Sequence, residues 1–235
     1  MTIPELRQHL AEDRQALAET LAHDVASTLS AAVATRGVAS LVVSGGSTPR
    51  PFFAALASKD LPWDKVWVTL ADERWVPADR ESSNEALVRE HLLVGPAARA
   101  RFVGLWKDSP TPEDGQTLCE QALTTVPRPF DVLVLGMGGD GHTASLFPDA
   151  AELAAGLDLS NGALCLPVRP PEAPHPRMSL TLAALVASRQ VILHITGADK
   201  RQVLDRALGD GPEDELPIRG VLRHFDRGVD LYWAP

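Results

Sequence analysis

The sequence predicts an α/β protein with a mainly parallel sheet and helices on both faces, and three observations predict it. Short runs rich in valine, leucine and isoleucine recur along the chain, as in strands covered on both sides. Segments whose apolar residues fall at helical spacing lie between them. The two kinds alternate, which is the pattern of strand–helix–strand units. The chain is read as one domain, 1–235, whose 45% apolar and 23% charged residues are ordinary for a globular protein.

Leu6, Leu10, Leu17, Leu21, Val25, Leu29 and Val33 recur at steps of four and seven and predict one long amphipathic helix ended by Gly37. "VASLVVS" (38–44) predicts a buried strand, then the loop "GGSTP" and a helix opened by Pro49. "VWVTL" (66–70) is a second strand, running into the polar loop "ADERWVPADRESSN" and a helix from Glu85 to Leu93. "RFVGLW" (101–106) reads as a short strand, "PEDGQTLCEQAL" as a helix and "DVLVL" (131–135) as a third clear strand. Further strands are expected at "ALCLPV" (163–168), "QVILHIT" (190–196) and "GVDLYW" (228–233). "MSLTLAALVAS" and "DKRQVLDRAL" supply helices between them, and the proline-dense "PVRPPEAPHPR" (167–177) a rigid surface loop.

Lys and Arg number 22 against 31 Asp and Glu, a net charge of −9, so no nucleic-acid partner is expected. An anionic ligand would need a local basic pocket. No apolar run approaches the ~18 residues of a membrane span, and the first residues show no signal-peptide pattern, so no membrane partner and a cytoplasmic location are expected. Cys119 and Cys165 lack ligand spacing and read as small core residues. No H-E-x-x-H or comparable set calls for a metal.

In open parallel sheets ligands sit beyond the carboxyl ends of the strands, so the loops from Gly45, Asp72, Gly136 and Gly197 carry the functional expectation. Gly136, Gly138 and Gly141 satisfy G-x-G-x-x-G, a dinucleotide fingerprint. Its context fails twice. Pro148 limits any following helix, and Asp158, at the right distance, follows a helical rather than a strand-like segment. The other loops point to an anion. "SGGSTP" (44–49) offers backbone N–H groups and two hydroxyls at a helix start, the plainer account being that Ser47 or Thr48 is a helix cap. Pro49 stands where a nucleophile elbow at Ser47 needs glycine. "DERW" (72–75) places two carboxylates and an arginine at a strand end, and Lys200 and Arg201 follow the strand "VILHIT". Jointly these loops fit a phosphorylated small molecule.

"SGGSTP", "DERWVP" followed by "SSNEALVREHLL", and "GMGGDGHTASLFP" resemble the three signature segments of the 6-phosphogluconolactonase family, which is related to glucosamine-6-phosphate deaminase. The resemblance covers nearly the whole chain, in order, and ends with "TG-x-x-K" at Thr196 to Lys200. "SLFP" (145–148) stands where the deaminase branch has an Asn-Glu-Pro run, and "DERW" where it has "DEY"; both departures favour the lactonase. The resemblance implies a Rossmann-like three-layer fold of the glucosamine-6-phosphate deaminase-like type. It implies hydrolysis of 6-phospho-D-glucono-1,5-lactone to 6-phosphogluconate, the second step of the oxidative pentose phosphate route, with no cofactor. The alternatives are a deaminase-like aldose-ketose isomerase, or a sugar-phosphate-binding regulator, for which no DNA-binding segment is found. A monomer or a weak homodimer is expected.

A δ-lactone is an activated ester, and one general base suits it. Histidine, with an unperturbed pKa of ~6.5, fills that role at neutral pH. His142 is the expected base, and Asp140 either orients its ring or only shapes the loop as an Asx-turn. The N–H groups of Gly138, Gly139 and Gly141, and of the residue between, are candidates for the oxyanion hole. By the resemblance, Ser47, Thr48, Arg74 and Lys200 bind the phosphate, with Gly45 and Gly46 contributing N–H groups and Asp72 lining the site. Arg177 matches a basic family position, whether in contact with substrate or holding the loop. His9, His23, His91 and His224 fall in helical patterns, His175 in the proline-rich loop, and His194 within a strand as a satisfied core histidine. The tryptophans read as packing residues, with Trp75 a possible exception at the pocket.

Overall fold

In the computed structural model, which describes residues 4–235, the elements follow in the order β1 (Leu6–Leu10), α1 (Arg14–Arg36), β2 (Ala39–Val43), α2 (Arg50–Ala57), β3 (Val66–Leu70), β4 (Asp72–Arg74) and α3 (Asn84–His91). Next come β5 (Arg101–Val103), α4 (Pro112–Leu123), β6 (Val132–Leu135), α5 (Leu153–Leu157), β7 (Cys165–Val168), β8 (Arg177–Leu180) and α6 (Leu182–Val186). The chain closes with β9 (Val191–Thr196), α7 (Ala198–Leu208), α8 (Ile218–His224) and β10 (Val229–Ala234). Seven strands form one sheet in the order β1-β10-β9-β6-β2-β3-β5, and every pairing in it is parallel.

The predicted class is therefore the observed one. β2 and β6 are buried along their whole length, as their unbroken apolar runs require. α1 and α2 pack together, and α1 covers β2, β6 and β10. Leu17, Leu21, Val25, Leu29 and Val33 of α1 are all buried, each fully buried leucine contributing about 1.5–3 kcal/mol. α7 packs on β9 and α8. Right-handed crossovers put α2 and the α7–α8 pair on opposite faces, because β2→β3 and β9→β10 cross the sheet in opposite directions. Cys119 and Cys165 are free thiols buried in the core.

Four local expectations are corrected. Residues 6–10 form strand β1, not the start of the first helix, and pair in parallel with β10 from Leu6↔Val229 to Leu10↔Trp233. Leu6 and Leu10 are both even-numbered, so a strand aligns them as well as a helix does. The helix starts instead at Asp13, whose carboxylate accepts from Ala16 N at 2.8 Å. His9 accordingly lies on a strand, stacked on Tyr232. "DER", read as loop, is strand β4 of a second, antiparallel sheet ordered β4-β8-β7. Its pairs are Asp72↔Ser179, Glu73↔Met178 and Arg74↔Arg177. "MSLTLAALVAS" gives up its first residues to β8, and the helix starts only after Thr181, whose hydroxyl accepts from Ala184 N. Helix α8 was not anticipated.

Candidate active site

The chain runs from β2 outward through β3 to β5, then returns to β6 and continues the other way through β9 and β10. β2 and β6 are neighbours, so the topological switch point lies between them, where such sheets bind ligands. A cavity of about 320 Å³ opens there. Its walls are residues 43–49 beyond β2, 134–138 and His142 beyond β6, 194–196 and Lys200 at the end of β9, and Asp72, Arg74 and Asn84 from the β4–α3 segment.

The glycine loop presents a histidine and its carboxylate. Asp140 Oδ1 lies 2.6 Å from His142 Nδ1 and also accepts from the His142 backbone N–H at 3.1 Å. Orienting the ring and shaping the loop are thus the same arrangement. Desolvation raises the Asp140 carboxyl, but the hydrogen bond and charge of His142 outweigh it and bring it down to about 2. With Nδ1–H donated to Asp140, Nε2 is the free basic nitrogen. The ring packs on Phe147, centroids 4.2 Å apart. Gly138 makes room for the pair: a Cβ there would stand 2.1 Å from His142 Nδ1 and 2.3 Å from Asp140 Oδ1. Gly141 is left-handed, with φ +80, and sits against Leu216.

The oxyanion-hole expectation narrows. Gly138 N–H donates to His142 O at 2.8 Å and Gly141 N–H to Gly138 O at 3.2 Å, so both are consumed inside the loop. Gly139 N–H donates to no backbone carbonyl among the described residues. Lys200 approaches the same glycine, its Nζ 3.8 Å from where a Cβ would stand. No helix follows the glycines before α5, and Asp158 caps α5 rather than ending a strand. The dinucleotide geometry is missing.

The opposite wall presents backbone N–H groups without partners among the described residues. Pro49 occupies the cap position of α2 and no side chain caps the helix, so Ser47 and Thr48 are not used as caps. Among the described residues the N–H groups of Gly45, Gly46, Ser47 and Thr48 donate to no backbone carbonyl. Four free N–H groups before a helix N-terminus form an anion cradle. Asn84 fills the space beside Gly45, its Oδ1 1.8 Å from the position of a Cβ. Burial lowers the Lys200 ammonium, against the raising influence of Asp140 and Asp199.

Alternation along β4 divides the work of "DER". Asp72 and Arg74 line the cavity, whereas Glu73 turns away and binds the start of α3. Glu73 accepts from Ser83 Oγ, Asn84 N, Glu85 N and Arg74 N at 2.7–3.0 Å. Burial pushes its carboxyl up to about 7 against these four donors. Asp72 accepts from Ser145 Oγ at 2.6 Å, and Arg74 Nη1 donates to Ser82 O at 2.6 Å. Arg177 is opposite Arg74 in the ladder, buried, with Nε and Nη1 unpartnered among the described residues. Burial and the neighbouring Arg74 lower its pKa. It pairs beside Arg74 and does not line the cavity.

The cavity thus brings together Gly45, Gly46, Ser47, Thr48, Asp72, Arg74, Gly138, His142 and Lys200. Asp140 reaches it through His142, Gly139 borders it beside Lys200, and Gly141 and Arg177 lie outside its lining. Trp75 is a packing residue, its Nε1 donating to Ser109 O and its ring against Gly115. His175 lines a separate cavity with residues 76–77 and 80–82. The wall also holds Asn84, which the sequence places at the end of the polar loop before the Glu85 helix, and His194, which it places inside a strand as a satisfied core residue.

Fold and site together define an α/β protein with free backbone N–H groups at a topological switch point, across a cavity from a carboxylate-oriented histidine. The chain belongs to the glucosamine-6-phosphate isomerase/6-phosphogluconolactonase family, whose model matches residues 12–233. It is 47% identical over 230 residues to a 6-phosphogluconolactonase of Pseudomonas putida, covering 98% of this chain and 93% of that one. A 6-phosphogluconolactonase of Mesorhizobium japonicum is 49% identical over 223 residues, covering 95% and 93%. The crystal structure of a 6-phosphogluconolactonase from Shewanella baltica superposes with a TM-score of 0.97 at 46% identity, covering 100% of both chains. A monomeric glucosamine-6-phosphate deaminase shares the fold, with a TM-score of 0.78 at 16% identity over 97% of each chain.

Proposed function

We propose that this protein hydrolyses 6-phospho-D-glucono-1,5-lactone to 6-phosphogluconate as a single lactonase domain, the second step of the oxidative pentose phosphate route. One observation carries the reading: the Asp140–His142 pair and the free N–H groups of residues 45–48 face each other across one cavity. That arrangement offers a general base at one wall and anion-binding N–H groups at the other, as a lactone carbonyl and a phosphate require.

His142 Nε2 takes a proton from water as the water oxygen bonds to C1. The oxyanion that forms lies toward Gly139 N–H. Asp140 steadies the imidazolium. As the intermediate collapses, the bond from C1 to the ring oxygen breaks and His142 returns its proton to that oxygen. The acid product leaves with its phosphate intact. The loop N–H groups, Ser47, Thr48 and Lys200 hold the phosphate, and Arg74 adds a guanidinium from the cavity wall, with Arg177 paired beside it.

Incubation with freshly prepared 6-phosphogluconolactone, against its spontaneous hydrolysis, tests the reading, with acceleration expected. Glucosamine 6-phosphate serves as the counter-substrate. Ammonia release from it, without lactone hydrolysis, would place the protein on the deaminase branch.

A further inference from the structure

The cavity wall holds polar groups that the hydrolytic steps leave idle, among them Ser44, whose hydroxyl has no partner among the described residues, and His194. His194, on β9, is 4% exposed, yet its ring forms part of the cavity wall. Leu135 pairs with Leu193, so the next step of the ladder sets His194 opposite Gly136. A Cβ at Gly136 would meet no atom within 4 Å. A larger residue there would cover the imidazole, whereas glycine leaves it open to the cavity.

On its other side the ring meets Phe52 edge-on, centroids 6.1 Å apart and planes at 77°. Phe52 lies in the first turn of α2, so His194 flanks the helix terminus that the four free N–H groups precede. Only desolvation acts on the imidazole, bringing its pKa down to about 4, and no hydrogen bond reaches it among the described residues. A neutral imidazole keeps one donor and one acceptor. A leucine would satisfy Phe52 without an idle N–H.

We propose that His194 is a specificity residue whose ring N–H donates to the phosphoryl group held by residues 45–48 and Lys200. This rests on the reading of the cavity as a sugar-phosphate site. Loop N–H groups, a lysine ammonium and the His194 ring then approach the phosphoryl oxygens from different sides. The histidine adds a directed donor without a second fixed charge.

His194→Leu removes the donor and keeps an apolar fill; His194→Gln restores an amide donor. The readouts are KM and kcat on the phosphorylated lactone, kcat/KM on unphosphorylated glucono-1,5-lactone, and the Kd for inorganic phosphate by calorimetry. A hydrogen bond to a charged group is worth about 10-fold or more in affinity. His194→Leu is therefore expected to raise KM and the phosphate Kd about 10-fold, with kcat within twofold and the unphosphorylated substrate unaffected. His194→Gln should recover part of the loss. Unchanged KM and phosphate Kd in both variants would overturn the proposal, as would an equal loss on both lactones. Wild-type protein that binds phosphate but hydrolyses no lactone would refute the functional reading instead, and the phosphate Kd of the two variants would still test His194.

Discussion

Asp140 Oδ1 and His142 Nδ1 lie 2.6 Å apart, and the same carboxylate oxygen accepts the His142 backbone N–H. Two residues of separation let one side chain fold the loop and orient the base together. Replacing Asp140 by Asn keeps the size but lets the amide present either N–H or C=O to Nδ1. A share of the molecules then holds the wrong tautomer, with Nε2 protonated. Asp140→Asn should lower kcat with little change in KM, which steady-state kinetics will check. A proportionate rise in KM alone would assign Asp140 to binding instead.

Gly138 is fixed by the space that the pair occupies. A Cβ there would stand 2.1 Å from His142 Nδ1, so Gly138→Ala must displace the ring. A displacement of about 1 Å at the reacting group can cost about 10²-fold in rate. That loss is expected with a melting temperature close to wild type, measured by circular dichroism. Full activity would show that the ring adapts.

Removing a phosphate ligand acts on binding. Lys200→Ala should raise KM about 10- to 100-fold, the worth of one charge-assisted hydrogen bond, and leave kcat within a few-fold. Arg74→Ala should do the same and also loosen the 80–82 segment, because Nη1 holds Ser82 O. Discrimination between phosphorylated and unphosphorylated lactone is the decisive readout. If it survives both substitutions, neither residue binds the phosphate.

His194 makes stability depend on pH. Its folded pKa is about 4, below the ~6.5 of an unfolded histidine, so the unfolded chain binds more protons between these values. Stability from this group is complete above pH 6.5, falls as pH drops toward 4 and then levels. The full effect is roughly 3 kcal/mol. Asp140, held at about 2, adds a smaller loss below its unfolded value of ~3.9, discounted because it is half exposed. Glu73, pushed up to about 7, acts in the opposite sense in both proteins, so on going from pH 7 to pH 4.5 the urea midpoint should fall less, or rise more, in His194→Leu than in wild type. An identical difference in both would mean that His194 does not titrate on unfolding.

Much of this was legible in the sequence, for physical reasons. Strands buried on both faces must be apolar throughout, so β2, β3, β6, β9 and β10 stand out. The glycines at 138 and 141 announce a loop that something must approach closely, and His142 follows directly. Edge and antiparallel segments were not legible. β1 has an exposed Leu10 and a spacing common to helix and strand, and β4 is three residues whose identity as a strand depends on β8, over a hundred residues away. His194 was hidden for another reason. A strand residue alternates toward core or cavity, and only the neighbouring Gly136, brought alongside by the ladder, opens that position to the ligand.

The central claim is that His142 is the base of a lactone hydrolase. It is tested most directly by initial rates of 6-phosphogluconolactone hydrolysis for wild type and His142→Ala, each corrected for the spontaneous reaction. General acid–base help is worth ~10²–10⁴-fold, and a loss of that size in kcat, with an unchanged melting temperature, is predicted. A variant that hydrolyses the lactone within a few-fold of the wild-type rate would contradict it.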